Sequence, residues 1–102
     1  MIRRHFEAHK DKVAEFCRRH GIRKLALFGS ALRDDFSAES DIDVLVEFEP
    51  GAEVGLIRLA GMELELAELL ETSRRVDLRT PQDLSRRFRE QVMQSAETQY
   101  AA

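Results

Sequence analysis

A chain of 102 residues, 43% apolar and 34% charged with no low-complexity tract, has the make-up of one globular domain over residues 1–102 and excludes intrinsic disorder. Its net charge of −3 gives no global attraction to nucleic acid, so a long nucleic acid is not expected as a partner, although Arg74, Arg75, Arg86, Arg87 and Arg89 make the last third locally basic. No apolar run approaches the roughly 20 residues of a membrane span, and Met1 to His5 lead into polar sequence instead of a signal-peptide core, so the expected location is cytoplasmic.

Taken in order, Phe6, Val13, Phe16 and Cys17 follow a helical spacing that predicts an amphipathic helix over residues 3–20, stopped by Gly21. Cys17, the single cysteine, lies on its apolar face and reads as a buried thiol. His5 and His9 are one helical repeat apart with no third ligand in sight, so they and His20 read as helix surface and not as a zinc site. The apolar run 25–28 predicts a strand, Gly29-Ser30 breaks it, residues 30–33 allow a short helical segment, and 34–40 is a polar loop.

A second strand is predicted over 42–48, stopped by Pro50-Gly51. Its period of two sets Asp41, Asp43, Leu45 and Glu47 on one face, and Ile42, Val44, Val46 and Phe48 on the other. Residues 56–70 form the most apolar helix, with Leu56, Leu59, Ala60, Ala67 and Leu70 on one face, Leu64 and Leu66 beside it, and Met62 and Leu69 widening the stripe. That stripe suits burial better than a partner face. Glu63 falls in its midst and marks either a bend or a reach toward a site.

Residues 75–80 alternate as a third strand, with Asp77 opposite Val76 and Leu78. Thr80-Pro81-Gln82-Asp83 then offers an N-cap, a first-turn proline and an acid, predicting a last helix to about residue 96 with Leu84, Phe88 and Val92 in the core and Tyr100 in a short tail. The fold class that follows is α/β (α+β), a small mixed sheet of about three strands flanked by helices. The helix at 56–70 must cross the sheet to bring the third strand beside the second.

Several pieces converge on one chemistry. A Mg²⁺ ion takes oxygen ligands, one or two of them carboxylates, and leaves its other positions to phosphate and water; Asp41 and Asp43, two apart on one strand face, fit that demand, and Asp77 on a neighbouring strand is the candidate third acid. Gly29 allows backbone to approach a phosphate, Ser30 can donate to it at a helix start, and Arg33 adds a positive charge one turn on. Each piece has a plain structural reading too: a turn, strand-end acids, an Asp77 paired with Arg74 or Arg79, and a solvated Arg33. The joint order favours the functional one.

Phe28-Gly29-Ser30, followed after a spacer of about ten residues by Asp41-Ile42-Asp43-Val44, resembles the nucleotidyltransferase superfamily that includes DNA polymerase beta. The form Gly29-Ser30-x-x-Arg33 and then SDIDVLVEF from Ser40 most resembles the minimal nucleotidyltransferases, antitoxins whose partner toxin is a HEPN-domain ribonuclease. Leu32 and Asp34 depart from the Ala and Gly common in that loop. The resemblance implies metal-dependent transfer of AMP from ATP to a hydroxyl with loss of pyrophosphate, the acceptor being a tyrosine of the HEPN toxin. It implies that Gly29, Ser30 and Arg33 hold the triphosphate. Asp41 and Asp43 would bind two Mg²⁺ ions, and Asp77 would complete that site and help deprotonate the hydroxyl. The alternative is a non-catalytic antitoxin of the same fold that neutralises its partner by binding; a small-molecule or RNA acceptor is a third reading. With no acceptor pocket evident in the sequence, the acceptor is expected to arrive on another protein.

Overall fold

A computed structural model describes residues 2–29 and 41–102. The expected short helical segment at 30–33 and the loop at 34–40, with Ser30 and Arg33, lie outside the described residues. The N-terminal amphipathic segment is two helices, α1 (Ile2–Ala8) and α2 (Lys10–His20), and not the single one expected. The break is at His9, whose backbone (φ −114°, ψ 27°) leaves the helical region. Gly21 ends α2 in the left-handed conformation at φ 67°, its N–H turned back to the Arg18 and Cys17 carbonyls, as the glycine stop requires.

The strands β1 (Ile22–Leu27) and β2 (Ile42–Phe48) pair antiparallel, and α3 (Leu56–Leu69) then crosses to β3 (Val76–Arg79), which lies parallel to β2. Among the described residues the sheet has four strands in the order β3-β2-β1-β4, one more than expected. The extra strand, β4 (Glu97–Ala101), is the segment read from sequence as a tail; it pairs antiparallel with the free edge of β1, and Tyr100 packs against the core. The backbone of β1 supplies its partner, so a polar sequence suffices.

The predicted last helix is also divided. Thr80 and Asp83 do form a capping box, but it encloses only a 3-10 turn, Pro81–Asp83. Leu84 is extended, and α4 (Arg86–Ser95) starts afresh from Ser85, whose hydroxyl accepts from the Phe88 N–H at 3.3 Å.

Two apolar layers flank the sheet. On one side α1, α2 and α3 bury Phe6, Val13, Phe16, Cys17, Met62, Leu66 and Leu70 against Leu25, Leu27, Ile42, Val44, Val46, Val76 and Leu78. On the other, Leu84 and Val92 close over Phe28 and Leu45. The alternation read for 42–48 therefore holds, and Cys17 is the buried thiol expected. The face of α3 is rotated from the expectation: Met62 and Leu66 are its buried centre, whereas Leu56, Ile57 and Leu64 are 85%, 92% and 71% exposed. A helix with leucines on most sides leaves its inward face to be chosen by the sheet. Among the described residues no helix is long and apolar enough to cross a membrane.

The three histidines are tethers, not plain surface. His5 Nδ1 lies 3.0 Å from the Leu70 carbonyl, His9 Nε2 3.1 Å from Glu71, and His20 Nε2 3.0 Å from Glu65, so each joins the N-terminal helices to α3 or the turn that ends it. Arg19 also donates to Glu65. Burial alone would raise the Glu65 carboxyl, but the hydrogen bonds and charges of Arg19 and His20 outweigh it and hold the group below its ordinary value.

Candidate active site

The parallel register of β2 and β3 sets Asp43 directly opposite Asp77. Neighbouring strands lie about 4.8 Å apart, and residues paired in register share a face. The two half-buried carboxylates therefore rise side by side on the Leu45 side of the sheet, although 34 residues separate them in sequence. The crossing of α3 assembles this pair, as the sequence required. Asp41 stands exposed one residue before β2, where its charge is felt by Arg74; burial pulls the Arg74 guanidinium down and Asp41 partly restores it.

Gly29 closes the other side. The Phe28 N–H donates to the Asp43 carbonyl at 3.2 Å, so the end of β1 turns directly over Asp43. Gly29 itself is left-handed at φ 64°, and a Cβ built there would lie 2.7 Å from Asp43 Oδ2. Any side chain at 29 would be strained in the backbone and would push the Asp43 carboxylate aside, so the conformation demands glycine and the contact favours it.

Glu63 and Arg79 complete the setting of Asp77. Glu63, on the inward flank of α3, accepts the Leu78 N–H at 2.7 Å and so occupies the outer edge of β3. That is the function of the acid stranded among leucines. Arg79, two residues from Asp77 and on the same strand face, donates to Asp77 Oδ2 from Nε at 3.2 Å and from Nη2 at 3.1 Å. The Asp77 hydrogen bond, then its charge, and more weakly Asp83 and Asp43, push the Arg79 pKa up. The ion pair named by the structural reading of Asp77 is thus present.

The described residues contain no group of three His, Cys, Asp or Glu side chains set to hold a metal ion. The donor set nevertheless suits a hard cation. Asp43 and Asp77 offer carboxylate oxygens at neighbouring register positions, the Gly29 backbone leaves space over Asp43, and Asp77 already takes a cationic group in the form of a guanidinium. An open cleft of about 340 Å³ borders Asp77, Arg79 and Asp83, with Leu56, Leu59 and Ala60 as its apolar wall, so a recess unseen in the sequence does adjoin the third carboxylate.

The arrangement of strand, Gly29 turn and paired acids coincides with a match to the nucleotidyltransferase domain over residues 10–98. The chain belongs to this family. The nucleotidyltransferase is 31% identical over 87 residues, 85% of its own chain and 89% of the relative, to a candidate protein adenylyltransferase of Methanocaldococcus jannaschii. It superposes on the structure of a candidate minimal nucleotidyltransferase with TM-score 0.71 and 38% identity, covering 88% of each chain, and this sets it among the minimal members of the family. A tri-AMPylated Shewanella oneidensis HEPN toxin in complex with an MNT antitoxin contains the same fold at TM-score 0.61 and 20% identity, over 95% of this chain and 73% of that one.

Proposed function

We propose that this nucleotidyltransferase, read as one domain over residues 1–102, is an antitoxin that transfers AMP from ATP to a tyrosine hydroxyl of a HEPN-type toxin. The observation that carries the reading is the in-register pair Asp43 and Asp77 beneath the Gly29 turn. Likeness to a candidate protein adenylyltransferase supports the adenylyl group, and the AMPylated HEPN toxin held by a protein of the same fold supports the acceptor. A cytoplasmic location belongs to the same reading, since ATP is the donor.

In this reading Gly29, Ser30 and Arg33 hold the triphosphate, and Asp41, Asp43 and Asp77 hold two Mg²⁺ ions. The ions, when bound, neutralise the charge that builds on the transferring phosphoryl group. The acceptor oxygen attacks the α-phosphorus, the bond from that phosphorus to the bridging oxygen breaks, and pyrophosphate leaves. Asp77, nearest the open cleft, assists in taking the hydroxyl proton. Such transfers need positioning and charge neutralisation more than covalent chemistry, and paired carboxylates under a phosphate-holding turn supply both.

The test is direct. With Mg²⁺, labelled ATP and the HEPN partner, the native chain labels the partner, while Asp43→Asn and Asp77→Asn, folded by circular dichroism, lose labelling by a hundredfold or more, on the order expected when charge stabilisation fails. Absence of transfer by the native chain sinks the reading. A second reading, neutralisation by binding alone, draws support from the Arg79 contact and the lack of a preassembled three-acid cluster among the described residues. In that case both aspartate variants still neutralise the toxin.

A further inference from the structure

Asp77 presents a problem when no metal is bound. Its carboxylate is directly opposite that of Asp43 in the adjacent strand, and like charges facing each other across a sheet destabilise it. A cation beside the pair relieves that repulsion. Among the described residues Arg79 is such a cation for Asp77, its Nε and Nη2 both donating to the same Asp77 oxygen.

The geometry around this pair is that of an exchangeable contact. Residues 77 and 79 share a strand face, so the guanidinium reaches back over the carboxylate without distorting the backbone. Glu63 holds the Leu78 N–H between them, which fixes the strand whichever partner Asp77 takes. The Arg79 side chain is 49% exposed and that of Asp77 only 21%, so the arginine can withdraw into solvent or the bordering cleft while the carboxylate stays. Asp83 and Asp43 add to the field that retains the guanidinium nearby after it lets go.

From these contacts we propose that Arg79 is the resident counter-cation of Asp77 and exchanges its two hydrogen bonds for a divalent cation, so that metal loading at the third carboxylate requires displacement of this guanidinium. The inference rests on the reading of Asp77 as a metal ligand. Arg79 is thereby a positioning residue: it balances the charge of Asp77 before metal arrives, and sets the metal concentration at which the site fills.

The experiment is Mn²⁺ binding to the full chain without nucleotide, followed by electron paramagnetic resonance and calorimetry. Removing a competitor of this kind, a half-exposed ion pair with two hydrogen bonds, tightens metal binding by about three- to tenfold. Arg79→Ala and Arg79→Gln are each expected to show that gain with little change in thermal midpoint, and Arg79→Lys, which keeps charge but loses the fork, a smaller one. In the Asp77→Asn background the gain disappears. Unchanged or weaker binding in the Arg79 variants, with Asp77→Asn weakening it, overturns the exchange and leaves the metal reading of Asp77 intact. Unaltered Mn²⁺ affinity in Asp77→Asn alone overturns both. A gain that persists without Asp77 overturns the pairing in favour of a general charge effect.

Discussion

Gly29 shows how narrowly one residue can join backbone to chemistry. Its left-handed φ of 64° and the 2.7 Å that would separate a Cβ from Asp43 Oδ2 are independent demands, and alanine fails both. The backbone demand alone costs about 1–2 kcal/mol; the second must push the Asp43 carboxylate aside, and a displacement near 1 Å in a positioning group costs about a hundredfold in rate. Gly51 separates the two effects, because it is left-handed at φ 87° with nothing within 4 Å of the place a Cβ would take. Gly29→Ala and Gly51→Ala are therefore expected to lose similar stability in urea denaturation, while only Gly29→Ala loses transfer. Equal transfer by both variants would mean that the turn does not position Asp43. At this scale the sequence was informative about which residues carry charge and turn, and silent about distance: it named Gly29, Asp43 and Asp77, but the registry of the two acids is set by a strand pairing that no local pattern encodes.

At the scale of elements, legibility follows from whether a segment's partner is local. β2 was readable to its ends because strict alternation separates two buried layers, Ile42, Val44 and Val46 against Leu45. β4 was not, since Glu97–Ala101 is polar and becomes a strand only by pairing with β1. The break at His9 carries no glycine or proline, and the break at Leu84 hides behind a valid capping box whose turn stops after Asp83. Glu63 was conspicuous in sequence but its partner was a backbone N–H, invisible there. That partner gives the element-scale prediction. β3 is an edge strand of four residues, and Glu63 occupies its outer Leu78 donor. Glu63→Ala leaves that N–H to the cleft and is expected to cost about 1.5–3 kcal/mol, the range for a hydrogen bond to a charged group. Glu63→Gln retains an acceptor oxygen and loses less. Amide hydrogen exchange checks it: the Leu78 N–H should be the amide whose protection falls most in Glu63→Ala, and unchanged protection would show that α3 does not clamp the strand.

For the whole molecule, the layer that carries α1, α2 and α3 has one titratable group at its centre, the thiol of Cys17, fully buried among Phe6, Val13 and the sheet. Burial pushes its pKa from 9.0 to about 12, the nearby Arg18 charge opposing only in part. Below pH 9 the thiol is protonated whether the chain is folded or not, so its contribution to stability does not vary there. Above it the unfolded chain gives up the proton while the folded one keeps it, so the unfolded state binds fewer protons and stability falls with pH. The loss runs from about pH 9 until the folded thiol itself ionises near 12, with a limiting slope of about 1.4 kcal/mol per pH unit. The measurement is a difference, so that what the two chains share cancels: urea unfolding of the native chain and of Cys17→Ala from about pH 8 to 10.5. The variant starts less stable, having lost packing in the core, and the gap between the two should narrow as pH rises because only the native chain carries the thiol's linkage. A gap that stays constant would mean that the core admits the thiolate, and with it water, between the helices and the sheet that holds Asp43 and Asp77 in register.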